Sequence, residues 1–390
     1  MRSIIIKPFF DSELFTLIVE IERLCAIGKA PLPESPLFDD LRRLFFVCES
    51  VWSARIEGNH TTVAQYVEAV REGAPNLLTR ESYREIANLD ETLRWIETVV
   101  GDEKITEAFV RELHRRAVDG LNALDGEGDL TPGEYRREPV RILNATHEPP
   151  NPGDVAPLMR DFLDWLDEDV RPQQELLRIA LAHWRLVWIH PFRNGNGRVA
   201  RLLTYALLVK RGFFGRGLIL NPTAICCQRR TEYYNRLGEA DRAYARLQKE
   251  NASNDAIRGL ENWCSFLLGG LKQELESTAR LLNRDFIVKE IVVPALDRAR
   301  RYEKLLPIEV KTALATLRLG RARVGDVVKE LKGESSQTAI RQAWRSLRDK
   351  GLLTPLHDNG RVYRFTVGWF LYPSIIERFE ATNLTKTPLK

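Results

Sequence analysis

Apolar residues recur at three- and four-residue spacing along most of the chain, the signature of amphipathic helices. The spacing predicts helices over 10–28 and 37–56, separated by the breaker stretch GKAPLPESP. Further helices fit 61–72, 80–100, 105–119, 154–168, 173–189, 198–211, 228–247, 253–269 and 271–299. Between two of them lies GLNALDGEGDLTPGEYRREPVRILNATHEPPNPGD, rich in Gly, Pro, Asn and Asp. It reads as loop, and loops of this length are uncommon unless they work. PVRIL and the residues after Asn144 are its candidates for a short hairpin.

The texture changes near residue 300. PIEVKTALATLRLGRARVGDVVKEL, SSQTAIRQAWRSLRDKGLL and TPLHDNGRVYRFTV read as three helices and a hairpin turning at Asp358-Asn359-Gly360. That order is the winged variant of the helix-turn-helix, with Ser335 or Ser336 as a helix cap and Arg341, Arg345 and Arg348 along the second of the paired helices. DNA is the partner such a surface fits. The alternative is a small structural helical domain with solvated arginines.

Composition narrows the classes. A chain of 390 residues implies two or three domains. Its 44% hydrophobic and 29% charged residues are those of a globular protein, and a net charge of +4 is too weak to make the whole chain a nucleic-acid binder. Five scattered cysteines without a CxxC pair suggest neither a disulfide framework nor structural zinc. The start, MRSIIIKPFFDSELF, lacks a signal-peptide core, and no run is long enough for a membrane span. A reduced, cytoplasmic setting without membrane contact is expected.

The chemistry concentrates in HPFRNGNGRVAR, residues 190–201. The apolar run LVWI delivers His190 from a buried helix end, and Pro191 stops that helix. Gly195 and Gly197 let successive N–H groups converge at the start of the next helix, a site for anionic oxygens. Arg198 and Arg201, three apart, share a face of its first turn. Two guanidiniums beside an amide nest make a pyrophosphate receptor, and His190 can take a proton near neutral pH.

This stretch resembles the signature of the Fic family, HxFx(D/E)GNGRxxR, at every position but one. Members transfer the AMP moiety of ATP to a Ser, Thr or Tyr hydroxyl of a target protein. The resemblance implies that His190 deprotonates the hydroxyl and that Phe192 anchors the loop. Gly195, Asn196 and Gly197 would hold the α- and β-phosphates, Arg198 would contact phosphate and Arg201 would grip the γ-phosphate, with Val199 and Ala200 completing the nucleotide-binding turn. The departure is Asn194, where the family has an acidic ligand for the Mg²⁺ (or Mn²⁺) that accompanies ATP. An uncharged oxygen there should weaken the metal. Three outcomes stay open: AMP transfer with the metal held mainly by the nucleotide, use of another nucleotide or transfer, and binding without turnover. Kinase-like transfer of the γ-phosphoryl group is disfavoured by the intact Gly197 and Arg198.

Residues 53–58, SARIEG, place Ser53 and Glu57 one helical turn apart, with Gly58 ending the helix. They match the family's inhibitory motif, (S/T)xxxE(G/N). The resemblance implies that Glu57 pairs with Arg201, denies ATP its γ-phosphate site, and in some members removes AMP with the help of a water. It also places a flap before the active-site helix, with Ile142 and Leu143 as clamps on the target. In RRTEYYNRL it implies an adenine contact from at most one of Tyr233 and Tyr234, which point about 100° apart on a helix.

The expected fold is therefore mainly α: a Fic-type helical bundle with a small β-hairpin flap, plus a C-terminal winged helix-turn-helix domain. Its parts are an N-terminal helical region (1–104) carrying the inhibitory helix (about 40–58), a core (105–270), a connecting helix (271–300), the winged helix (301–372) and a tail (373–390). The leading function is a self-inhibited protein adenylyltransferase, with a homodimer as a further expected partner. The alternatives are a DNA-binding regulator that senses nucleotide and an AMP-removing enzyme using Glu57.

Overall fold

The computed structural model describes residues 6, 8, 10–28, 36–73, 80–101, 104–124, 126–142, 145–212, 221–248, 257–302, 305–357 and 360–382. In chain order the helices are α1 (Glu13–Gly28), α2 (Pro36–Glu57), α3 (Val63–Arg71), α4 (Glu81–Val99), α5 (Glu107–Ala117), α6 (Pro152–Asp167), α7 (Pro172–Ile189), α8 (Asn196–Lys210), α9 (Ala224–Gln228), α10 (Arg230–Leu247) and α11 (Arg258–Thr278). There follow α12 (Arg284–Phe286), a π turn (Ile287–Val292), α13 (Val293–Tyr302), α14 (Pro307–Leu319), α15 (Val324–Glu330), α16 (Gln337–Asp349), strands β1 (Leu353–Pro355) and β2 (Tyr363–Phe365), and α17 (Tyr372–Thr382). None of these helices is long and apolar enough to cross a membrane.

The chain divides into two compact units, and not at the sequential boundaries expected at 104, 270 and 300. The first comprises residues 1–31, 45–61 and 76–279; the second comprises 32–44, 62–75 and 280–390. The reason lies in side chains that sequence spacing does not reveal. In the second unit, Asp40 accepts two hydrogen bonds from the Arg364 guanidinium and one from the Val367 amide. The Asp40 carbonyl accepts the Tyr372 hydroxyl proton. Helix α3, opened by a reciprocal cap between Thr62 and Gln65, packs on α17.

In the first unit, α7 packs along α8, while α4 and α5 pack on α8 and α11 packs on α1, α7 and α10. Trp52, Trp184, Trp263, Phe45, Phe192, Tyr205 and Tyr233 are fully buried. Aromatic side chains of this size bury about 150–250 Å² each. The boundary expected between helices 253–269 and 271–299 falls instead inside α11. A Cβ on Gly270 would stand 2.4 Å from the Ile225 side chain, so glycine here admits close packing of α9.

In the second unit, α14 packs on α15 and α16, and β1 pairs antiparallel with β2 in the register Leu353 to Phe365. Ser336 caps α16 by accepting the Ala339 amide. The expected turn residues Asp358 and Asn359 lie outside the described residues. This is the two-stranded sheet present among the described residues.

Candidate active site

Helix α7 is apolar to its end and stops at His190, whose backbone is left-handed (φ 52°). No other non-glycine among the described residues has a positive φ. The His190 amide still donates to Leu186, and its Nδ1 lies 3.1 Å from the Val187 carbonyl. That contact fixes the Nδ1–H tautomer and leaves Nε2 as an acceptor. Burial pushes the imidazole down to about 4, so it is neutral at pH 7.

Arg136 holds this strained corner. Its Nε donates to the His190 carbonyl at 2.8 Å, and its amide donates to Pro191. The same guanidinium donates to the carbonyls of Glu138 (3.3 Å) and Pro150 (2.6 Å), gathering both ends of the segment expected to form the flap. The described residues of that segment are irregular, without a strand ladder. Ile142 is half-buried, and Leu143 lies outside the described residues.

The turn after His190 is built from below. Phe192 is fully buried and stacks on His114, ring centroids 3.9 Å apart. His114 Nδ1 accepts the Gly133 amide, so Nε2–H faces the Asn194 carbonyl at 3.2 Å and Asp129 at 3.5 Å. Burial would raise the Asp129 carboxyl, yet hydrogen bonds from His114 and the amides of Thr131 and Asn194 hold it at about 2. Gly195 takes φ 72° and caps α8. The amides of Asn196, Gly197 and Arg198 fall in the first turn of α8 and have no carbonyl four residues back within that helix.

Several residues expected at the nucleotide have partners within the protein. The Asn196 side chain bonds the Phe192 backbone in both directions, and the Val199 amide donates to Gly195. The Val199 and Ala200 side chains are core. Arg198 is fully buried, with Nη2 donating to the Glu127 carbonyl (2.6 Å) and carboxylate (3.0 Å) and Nη1 3.4 Å from Glu85. Of the two tyrosines, Tyr233 is core, its hydroxyl 3.0 Å from His183 Nε2, whereas Tyr234 is 43% exposed. Tyr234 alone of the pair can line a ligand.

Asn194 Oδ1 accepts the Gly195 amide at 2.8 Å, and Nδ2 donates to the carbonyls of Gly128 (3.2 Å) and Gly126 (3.4 Å). The neighbouring Asp129 carboxylate is fully buried. This donor set does not fit a loop-held divalent cation, which wants several free hard oxygens. No group of three or more metal-ligating side chains occurs among the described residues.

Arg201 is met by both residues of SARIEG. Its Nε donates to Ser53 Oγ (2.7 Å), and Nη2 donates to the Ser53 carbonyl (3.1 Å) and Glu57 Oε1 (2.5 Å). Burial would raise the Glu57 carboxyl, but the charge and hydrogen bond of Arg201 outweigh it and hold it low. Burial likewise works against the Arg201 charge, and Glu57 reverses this and raises its affinity for the proton. A Cβ built on Gly197 would meet Glu57 Oε1 at 2.3 Å. The carboxylate therefore lies directly over the glycine turn.

His114, Asp129, Glu85, Glu127 and Arg136 carried no signal in the sequence beyond membership of a long polar loop or an ordinary helix. Their roles exist through contacts distant along the chain.

Residues 104–208 match the model of the Fic/DOC family. Proteins named protein adenylyltransferase Fic from Drosophila willistoni and Drosophila grimshawi are each 36% identical over 186 residues, 47% of this chain. The chain spans about a third of the length of these relatives, 34% and 35% respectively. The crystal structure of a Fic family protein from Desulfovibrio desulfuricans G20 superposes with a TM-score of 0.58 at 21% identity, covering 94% of this chain and 98% of that one. Fic-1 (aa134–508) of C. elegans gives 0.53 at 20% identity, covering 69% of this chain and 72% of that one. Family model and named relatives agree that residues 104–208 are a Fic domain, and the solved structures share its fold.

Proposed function

We propose that the chain is a self-inhibited protein adenylyltransferase, moving AMP from ATP to a hydroxyl of a target protein. The observation that carries this reading is the double grip of Ser53 and Glu57 on Arg201, directly above Gly197. A triphosphate seated on the first turn of α8 needs Arg201 for its tail, and the Glu57 carboxylate competes for the same guanidinium. His190 Nε2 accepts the hydroxyl proton; the hydroxyl oxygen bonds to the α-phosphorus while the bond to the bridging oxygen breaks and pyrophosphate leaves. The first-turn amides and Arg201 stabilise the charge that builds on the phosphates.

Incorporation of label from α-³²P-ATP tests the reading. Glu57→Gly should raise self-labelling about tenfold or more, and His190→Ala in that background should remove it. Equal labelling of all forms sinks the assignment. Removal of AMP is the reverse reading, supported by a Glu57 side chain that stays ionised and 25% exposed; release of AMP from a labelled target separates the two directions.

A DNA-binding role for the second unit is supported by its order of three helices and a hairpin, a winged-helix arrangement, and by Arg341 and Arg345 on the exposed face of α16. Salt-sensitive binding to a DNA duplex, lost in the Arg341→Ala/Arg345→Ala double variant, is the outcome this reading requires.

A further inference from the structure

Arg198 sits beneath the glycine turn, its Nη2 3.5 Å from where a Gly195 Cβ would stand. It is fully buried, and its partners Glu127 and Glu85 come from the 121–134 loop and from α4. Two guanidiniums, Arg198 and Arg201, thus face three carboxylates, Glu57, Glu85 and Glu127. These carboxylates hold the guanidinium groups that a triphosphate would need.

The three carboxylates differ in freedom. Glu85 is 2% exposed and accepts a hydrogen bond from Asn59 at 2.9 Å, so it is built into the core. Glu127 is 37% exposed and belongs to a loop. That loop is held at Gly126 and Gly128, on either side of Glu127, by the Asn194 Nδ2 group. A carboxylate at 194 has no proton to donate there and would face two carbonyl oxygens. The residue that departs from the family signature is thus one of two side chains that clamp the loop, the other being Glu81, whose Oε1 accepts the amides of Glu127 (3.0 Å) and Asn122 (3.1 Å).

We propose that Glu127 is a second lock on the phosphate receptor, closing Arg198 as Glu57 closes Arg201, with Asn194 as the positioning residue that holds it shut. The inference rests on the reading of this turn as a triphosphate site. Release of Glu57 alone leaves half of the receptor engaged. Full affinity for ATP requires Glu127 to swing off Arg198, which its loop position and exposure allow and the burial of Glu85 does not.

The test is direct binding to the full-length protein in a metal-free, chelator-containing buffer, with ATP and AMP competing against a fluorescent ATP analogue. In the Glu57→Gly background, Glu127→Gln should tighten ATP binding by roughly tenfold, the scale of one close charge pair. AMP lacks the β- and γ-phosphates, so its affinity should stay within about twofold. Asn194→Ala in the same background removes the Nδ2 clamp without adding charge and should act in the same direction as Glu127→Gln. ATP affinity unchanged or weakened in Glu127→Gln, or ATP and AMP moving together, overturns the second lock. A response to Glu127→Gln but none to Asn194→Ala overturns the positioning role of Asn194. If the Glu57→Gly form binds no ATP at all, the triphosphate reading and the lock fall together. If binding responds as expected but no label is transferred, the lock stands and the transferase reading falls.

Discussion

Arg198 and Arg201 in the first unit and Arg341 and Arg345 in the second carry the same side chain under opposite conditions. The first pair is buried, and each guanidinium is engaged by carboxylates. The second pair is exposed on α16 and makes no ion pair among the described residues. A buried guanidinium without a counter-charge is too costly to keep, so carboxylates from the same chain stabilise it until a ligand displaces them. An exposed one is held by water and can meet an anion without displacing anything. Buried arginines can therefore be regulated by moving a carboxylate, whereas exposed ones respond chiefly to salt.

The largest effect should come from the buried side. In the Glu57→Gly form, His190→Ala should lower AMP transfer by about a thousandfold, because a positioned base is worth about 10² to 10⁴. Label incorporation over time measures it. Residual transfer above a tenth of the parent would remove His190 from the base position.

Stability should separate the two pairs next. Arg201→Ala leaves a partly buried Glu57 unpaired and should cost about 3 kcal/mol. Arg341→Ala should change stability by less than about 0.5 kcal/mol. Urea midpoints measured side by side would erase the contrast if the two variants shifted equally. A smaller effect follows on DNA, where each exposed arginine removed from α16 should flatten the slope of log affinity against log salt by about one.

The pH dependence is the finest probe. The His190 pKa of about 4 lies below the ordinary 6.5, so the free base persists as pH falls and is lost near pH 4. Between 6.5 and 4 the unfolded chain takes up a proton that the folded one does not, so this group lowers stability as pH falls through that window. The Glu57 charge pulls the His190 pKa upward, so Glu57→Gly should move it further down. An acid-side half-point near pH 6.5 in the rate profile of Glu57→Gly would contradict the buried environment.

Much of this site was legible in the sequence because its logic is local. LVWI followed by Pro191 fixes a helix end, and the two glycines fix the next helix start. Ser53 and Glu57 are one turn apart and both reach Arg201. What could not be read depends on partners far along the chain. Nothing near Arg198 announces that Glu85 and Glu127 will take it, and nothing near Asn196 distinguishes a staple on Phe192 from a phosphate contact. The fate of Asn194 was hidden for the same reason, since its carboxamide answers to carbonyls of the 126–128 loop. The helix boundary expected at 270 misplaced the end of α11 because glycine serves both breaks and close packing, and only the neighbour, Ile225, decides which at Gly270.

The 2.3 Å between the Glu57 oxygen and the place of a missing methyl on Gly197 carries a consequence for how such a chain can drift. One added carbon at that position would press on the Glu57 oxygen and on Arg201 Nη1, 3.1 Å away, and shift the pair while both of its members keep their identity. Under the proposed self-inhibition, restraint depends on a hydrogen atom as much as on an acid, and a lineage could weaken it by a change that leaves SARIEG and both arginines spelled as before.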